Sequence, residues 1–182
     1  ALHSRALLNM GLGKLDAARS DVDRLAKLSP KSLSALYLRA MLNFEQKKFA
    51  EARDGLQEIF SLTEDYVPSV LLAGATDYAL GSYKQAEAHL SRYLSLYPGH
   101  RYARRLLGAT RIQQSAPDGA LEALAPLLTP GTKDVQALVL ASEAHRLKGD
   151  PGRAAALLAR AVEIDPNNAT IQTQLGFSHL AA

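Results

Sequence analysis

The sequence predicts an all-α fold, a right-handed solenoid of about eleven helices stacked as antiparallel pairs. Three observations carry that reading. Ala18, Ala52, Ala86, Ala120 and Ala154 fall 34 residues apart, a fixed spacing that marks a repeated supersecondary unit. A second small-residue column runs in the same register through Ala6, Ala40, Gly74, Gly108, Ser142 and Gly176. Turn chemistry separates the two columns, with Gly13, Gly81 and Gly149 placed where a left-handed residue ends a helix. A 34-residue unit with helical periodicity is two short helices. Small residues in both let the axes approach, and each pair has an apolar face that only its neighbours can bury.

The first unit, 1–32, enters on a partial first helix, turns at Gly13, and continues through Ala18 and Val22 to Pro30. In 33–66 the crossing is Ala40 with Ala52, followed one turn later by Leu56. In 67–100, Gly74 precedes the turn at Gly81, and Ser82 with Gln85 reads as a capping box before Ala86 and Leu90. Pro98 closes that unit. In 101–134 the columns are Gly108, Ala120 and Leu124, and in 135–168 they are Ser142, Ala154 and Leu158. Asp150 followed by Pro151 marks the second helix of that fifth unit as an N-cap with proline in the first turn. Residues 169–182 are a half repeat around Gly176. One solenoid over 1–182 is expected, and helical sequence at both ends reads as a piece of a longer chain.

Apolar residues make up 47% and charged residues 21%, the balance of a folded chain with a core. No cysteine occurs, which excludes disulfides, thiolate metal sites and cysteine nucleophiles. The five histidines never recur at i and i+4, and no His-Glu-x-x-His pattern is present. Gly11-Leu12-Gly13-Lys14 resembles a phosphate loop only in part, because Leu15 stands where Ser or Thr is required. The expectation is therefore no enzyme, no metal and no cofactor. Charge is uneven: residues 1–91 carry eleven basic and eleven acidic side chains, residues 92–182 ten and seven. No acid lies between Glu87 and Asp118, and Arg101, Arg104, Arg105 and Arg111 form a basic patch in that window.

On these columns the chain resembles the tetratricopeptide repeat family, whose pattern runs Trp, Leu, Gly, Tyr, then Ala, Phe and Pro. It departs at the Trp column (Leu2, Leu36, Val70, Arg104, Leu138, Gln172) and at the Tyr column (Asn9, Asn43, Asp77, Arg111, His145, His179), which reads as a polar ladder between first helices. The Ala- and Leu-rich texture of Leu157 to Pro166 is also similar to bacterial repeat lipoproteins of exosortase and exopolysaccharide export systems, which implies an envelope location.

The resemblance implies that successive first helices line a concave groove for a peptide or partner helix. Residues at i, i+4 and i+7 share a helical face, which selects Tyr37, Met41 and Phe44, then Leu71, Ala75 and Tyr78, then Arg105, Ala109 and Ile112, then Val139, Glu143 and Arg146, and finally Thr173, Phe177 and Leu180. The stripes of the second and third hairpins, Tyr37, Met41 and Phe44 and then Leu71, Ala75 and Tyr78, are expected to be exposed apolar surface. Arg105 is expected to meet an acidic group on the ligand, while the paired Lys and Asn that family members use as a carboxylate clamp are missing from these stripes. One aromatic, Tyr102, beside the patch is thin support for nucleic acid. The expected partner is a protein or peptide. The alternatives are a structural segment that stacks on another copy as a homo-oligomer, or a regulatory repeat region of a larger protein.

Overall fold

A computed structural model describes residues 1–181. Among them are eleven α-helices: α1 Leu2–Gly11, α2 Leu15–Leu28, α3 Leu33–Glu45, α4 Phe49–Leu62, α5 Val67–Ala79, α6 Tyr83–Leu96, α7 Arg101–Gln113, α8 Pro117–Leu124, α9 Val135–Leu147, α10 Pro151–Ile164 and α11 Ala169–Leu180. The contacts group into two compact units, residues 1–89 and 90–182.

In the first unit, α1 pairs with α2 and α3 with α4, and α5 packs on α4. Ala6, Met10, Ala18, Val22, Leu38 and Leu42 form one core cluster, and Leu36, Ala40, Leu56, Ile59 and Ala73 the next. The alanine columns carry the close approach: a Cβ added at Gly55 would stand 3.4 Å from that of Ala40, ordinary contact between α3 and α4. Full burial of a side chain such as Leu56 or Ile59 stabilises by about 1.5 to 3 kcal/mol.

In the second unit, α7 pairs with α8, α9 with α10, and α11 packs on α10. Leu124, Leu127, Ala137 and Ala141 form one cluster there, and Leu138, Leu158, Ala161 and Ile171 another. The short helix α8 breaks the regularity. It stops after 8 residues, where α2, α4, α6 and α10 each have 14, and a 3-10 turn follows over Ala125–Leu127. Pro126 explains the early stop, since it has no amide hydrogen to continue the ladder and its ring crowds the preceding turn.

The helix-ending turns follow the 34-residue register more fully than the glycines alone predict. Gly13, Gly81 and Gly149 have φ of 69°, 73° and 73°, and Lys47 and Ser115, at the same register position, are also left-handed at 59° and 56°. Side-chain caps close the N-termini of four helices of the second unit. The side chains of His100, Asp134, Asp150 and Asn168 accept from the backbone amides of Ala103, Ala137, Arg153 and Ile171, as the Asp150-Pro151 sequence suggests for α10.

Candidate functional site

The expected binding stripes lie on α3 and α5 in the first unit. Tyr37, Met41, Phe44, Leu71 and Tyr78 are half-buried and Ala75 is buried, so the surface expected to be exposed is in large part covered. Its rings turn to neighbouring helix ends. Tyr37 meets Tyr66 edge-on at 5.7 Å, Phe44 meets Phe49 at 5.3 Å, and Tyr78 meets Tyr83 at 5.7 Å. Burial, with Tyr83 beside it, raises the Tyr78 hydroxyl above the ordinary phenol range. Each aromatic of the stripe thus anchors its helix to an adjoining segment while keeping an edge in solvent.

In the second unit the arginines do something other than wait for a ligand. Arg105 Nη1 donates to both carboxylate oxygens of Asp134 at 3.0 and 3.1 Å, and Arg101 Nη2 donates to Asp134 Oδ2 at 2.9 Å. The Asp134 side chain is 2% exposed, and its Oδ1 also accepts from the Ala137 amide at 3.1 Å, capping α9. Burial pushes this carboxyl up, but the Ala137 amide and the two guanidinium groups outweigh it and hold the pKa below the usual carboxylate range. The acidic group opposite Arg105 therefore comes from the chain itself. Arg104 donates to the carbonyls of Pro98 and Ala123 at 2.5 and 3.1 Å, and Arg111 to that of Gly119 at 2.9 Å, with Glu122 3.6 Å away. Ala109 and Ile112 are half-buried beside them. Sequence reading missed Asp134 because it lies 29 residues from Arg105. Its place immediately before α9, as an N-cap acid, was the available signal.

Glu143 and Arg146 on α9 hold each other through two hydrogen bonds of 2.8 and 2.5 Å. Beside them opens an apolar cavity of about 460 Å³, lined by Val139 and Ser142 of α9, Leu158 of α10, and Gln174, Phe177 and Ser178 of α11. Phe177 is 67% exposed at its rim. The stripes on α9 and α11 pointed to Val139, Glu143, Arg146 and Phe177, whereas Leu158 and Ser142 come from core positions that spacing alone assigns to helix packing.

In the polar column, Asn9, Asp77 and Arg111 find partners inside their own hairpins, and His145 approaches one. Asn9 reaches Asp21 at 3.5 Å, Asp77 meets His89 at 2.8 Å, and His145 Nδ1 lies 3.8 Å from Asp150. Asp21 also accepts from Arg5 Nε and Nη2, at 2.8 and 2.5 Å, and that pairing first of all keeps its pKa low. No group of residues among those described is arranged to hold a metal ion, and no described helix is long and apolar enough to cross a membrane.

Helix pairs on a common register, closed by left-handed turns and presenting first-helix faces studded with half-buried aromatics, define a helical-repeat protein. A sequence profile of the tetratricopeptide repeat matches residues 3–59, 71–134 and 117–169. The chain belongs to the tetratricopeptide repeat family, whose members are in general protein-interaction scaffolds. No curated protein sequence matches it significantly. Among solved structures it is similar to YrrB, a tetratricopeptide repeat protein with an unusual peptide-binding site, at 20% identity over 92% of this chain and 87% of that one, with a TM-score of 0.79. MamA is similar at 17% identity over 93% and 92%, TM-score 0.75. A thermophilic tetratricopeptide repeat protein of Thermus thermophilus is similar at 19% identity over 96% and 95%, TM-score 0.69. At these identities the likeness speaks to the fold.

Proposed function

We propose that this chain is a non-catalytic scaffold that holds a peptide or protein segment along its first-helix faces. The observation that carries this reading is the 460 Å³ apolar cavity between α9, α10 and α11. A cavity of that size takes a large apolar side chain, and Phe177 at its rim offers an aromatic edge, the kind of anchor point on which binding energy concentrates. The Glu143–Arg146 pair supplies polar groups beside it that can bond a peptide backbone. In the first unit, Tyr37, Met41, Phe44 and Tyr78 supply adaptable contact area of the same type. The peptide-binding site named for YrrB supports the class of ligand. Arg105 acts in this reading as part of the scaffold, through Asp134, and the ligand is selected by apolar side chains.

The test is selection from a displayed random-peptide library. Peptides with a large apolar residue are expected to be enriched, and Val139→Asp together with Phe177→Asp should weaken their binding about tenfold or more, the loss of roughly 1.4 kcal/mol. Enriched peptides that bind the double variant equally well would overturn the placement of the site.

A second reading, homo-association through α11, is favoured by one observation: Phe177 and Leu180 are 67% and 86% exposed on the same helix. Sedimentation across a concentration series separates the two readings, because only self-association makes the sedimenting mass of the protein alone rise with concentration.

A further inference from the structure

A second cleft, of about 190 Å³, lies between α4, α5 and α6 in the first unit. Its α5 wall is Ala73, Thr76 and Asp77, which at 100° per residue point away from Leu71, Ala75 and Tyr78. It is therefore a different surface from the first-helix stripes, and the inference does not rest on the reading proposed above.

The charged or titratable side chains lining this cleft are Arg53 of α4, Asp77 of α5 and His89 of α6. Asp77 is buried, and its Oδ2 stands 2.8 Å from His89 Nδ1. The face of the imidazole stacks on Phe60, centroids 5.5 Å apart and planes 14° from parallel. A ring held at one nitrogen and on one face cannot turn freely. Because Nδ1 serves the buried carboxylate, Nε2 is the nitrogen left for a ligand, and the side chain is 30% exposed. Among the described residues Nε2 has no hydrogen-bond partner, and Arg53 makes no ion pair. The amides of Gln57 and Gln85 line the same cleft. The cavity volume corresponds to about six waters at ~30 Å³ each, room for a carboxylate and its first hydration shell.

We propose that this cleft recognises a carboxylate side chain, aspartate or glutamate, of a protein partner. Arg53 supplies the charge and the principal donors, the glutamine amides supply further donors, and His89, whose Nδ1–H is committed to Asp77, donates from Nε2 in its imidazolium form. With His89 protonated, Asp77 offsets the imidazolium and the one remaining positive charge is that of Arg53, which matches a monoanion and is too little for a phosphate dianion. Asp77 is a positioning residue, since it acts through His89.

The experiment is a titration of uniformly ¹⁵N-labelled full chain with blocked Ala-Glu-Ala and, in parallel, blocked Ala-Gln-Ala, read at the His89 Nε2 resonance in a long-range ¹H–¹⁵N spectrum. The acidic tripeptide is expected to give a saturable shift, and the amide tripeptide none. Arg53→Ala, an exposed position, should weaken the acidic peptide about tenfold, as loss of a charge-assisted contact worth roughly 1.4 kcal/mol does. No saturable shift with the acidic peptide, an equal response to the amide peptide, or an Arg53→Ala protein that binds as tightly as the parent would each overturn the proposal.

Discussion

Asp134 joins hairpins that its own sequence neighbourhood does not reach. A carboxylate this deeply buried is tolerated only because a backbone amide and two guanidinium groups compensate its lost hydration. Removing it uncovers Arg105, a quarter exposed, and takes the cap from α9. Asp134→Ala should therefore lower unfolding free energy by about 2 to 4 kcal/mol, the cap and the broken pair together. Since the folded pKa lies below the ordinary value of 3.8, the stabilisation is present above that value and disappears as pH falls through the folded pKa. Denaturant titrations of parent and variant should differ widely at neutral pH and converge in acid, and a constant gap would be inconsistent with the carboxylate as its source. His145 has the opposite problem, a buried Nδ1 with no hydrogen-bond partner. Burial lowers its pKa below 6.5, with Arg153 and Lys148 adding to the effect and Asp150 opposing it. The unfolded chain then binds the proton first, so stability declines as pH drops from about 6.5. Replacing it by His145→Gln should flatten that part of the stability profile, which thermal melts at pH values between about 5 and 7.5 would read. Neither role is legible in sequence, where both residues look like ordinary polar positions. Each depends on what burial does to a charge.

At the level of the helix pair, one column makes opposite predictions at two of its positions. A Cβ on Gly108 would lie 2.8 Å from Leu124 Cγ, with both Cδ atoms within 3.1 Å, and Leu124 is fully buried. Gly108→Ala gains helix propensity of about 1 kcal/mol but overpacks α7 against α8 at a cost of about 1 to 3. Destabilisation is expected. At Gly176, in the same column, nothing lies within 4 Å of an added Cβ, so Gly176→Ala should stabilise by about 0.5 to 1 kcal/mol. Chemical denaturation of the two variants decides the matter, and equal signs would mean that α8 does not seat on α7 as described. The sequence register placed both glycines correctly in one column. It could not tell a packed column position from an open one, because a repeat pattern does not record the distance to the facing side chain. The turns show the same limit. Lys47 and Ser115 adopt the left-handed conformation that glycine takes at 13, 81 and 149, and Lys47→Gly or Ser115→Gly should each stabilise by about 0.5 to 1 kcal/mol, relief of side-chain strain less the entropy that glycine adds to the unfolded chain.

Across the whole chain, the fold was legible because a 34-residue period is a global property that no single substitution erases. The candidate surface was less so: spacing identifies which residues share a face, but the turning of Tyr37, Phe44 and Tyr78 onto Tyr66, Phe49 and Tyr83 depends on helix ends that spacing does not fix. The same one-dimensional logic governs how the molecule opens. Where each hairpin is stabilised chiefly by its neighbours, an element that buries few side chains opens before one that buries many. Helix α11 packs on α10 and buries only Ile171 and Ser178, whereas α9 buries Ala137, Leu138, Ala141, Ser142 and Ala144 between α7, α8 and α10. Native-state hydrogen exchange should accordingly show α11 amides exchanging through local opening at low free energy, with α9 amides approaching the limit set by unfolding of their unit. If a ligand fills the cavity between α9, α10 and α11, it touches α11 through Phe177 and should raise protection there before it raises protection in α9. A bound peptide that leaves α11 exchange unchanged would place the site elsewhere on the first-helix faces.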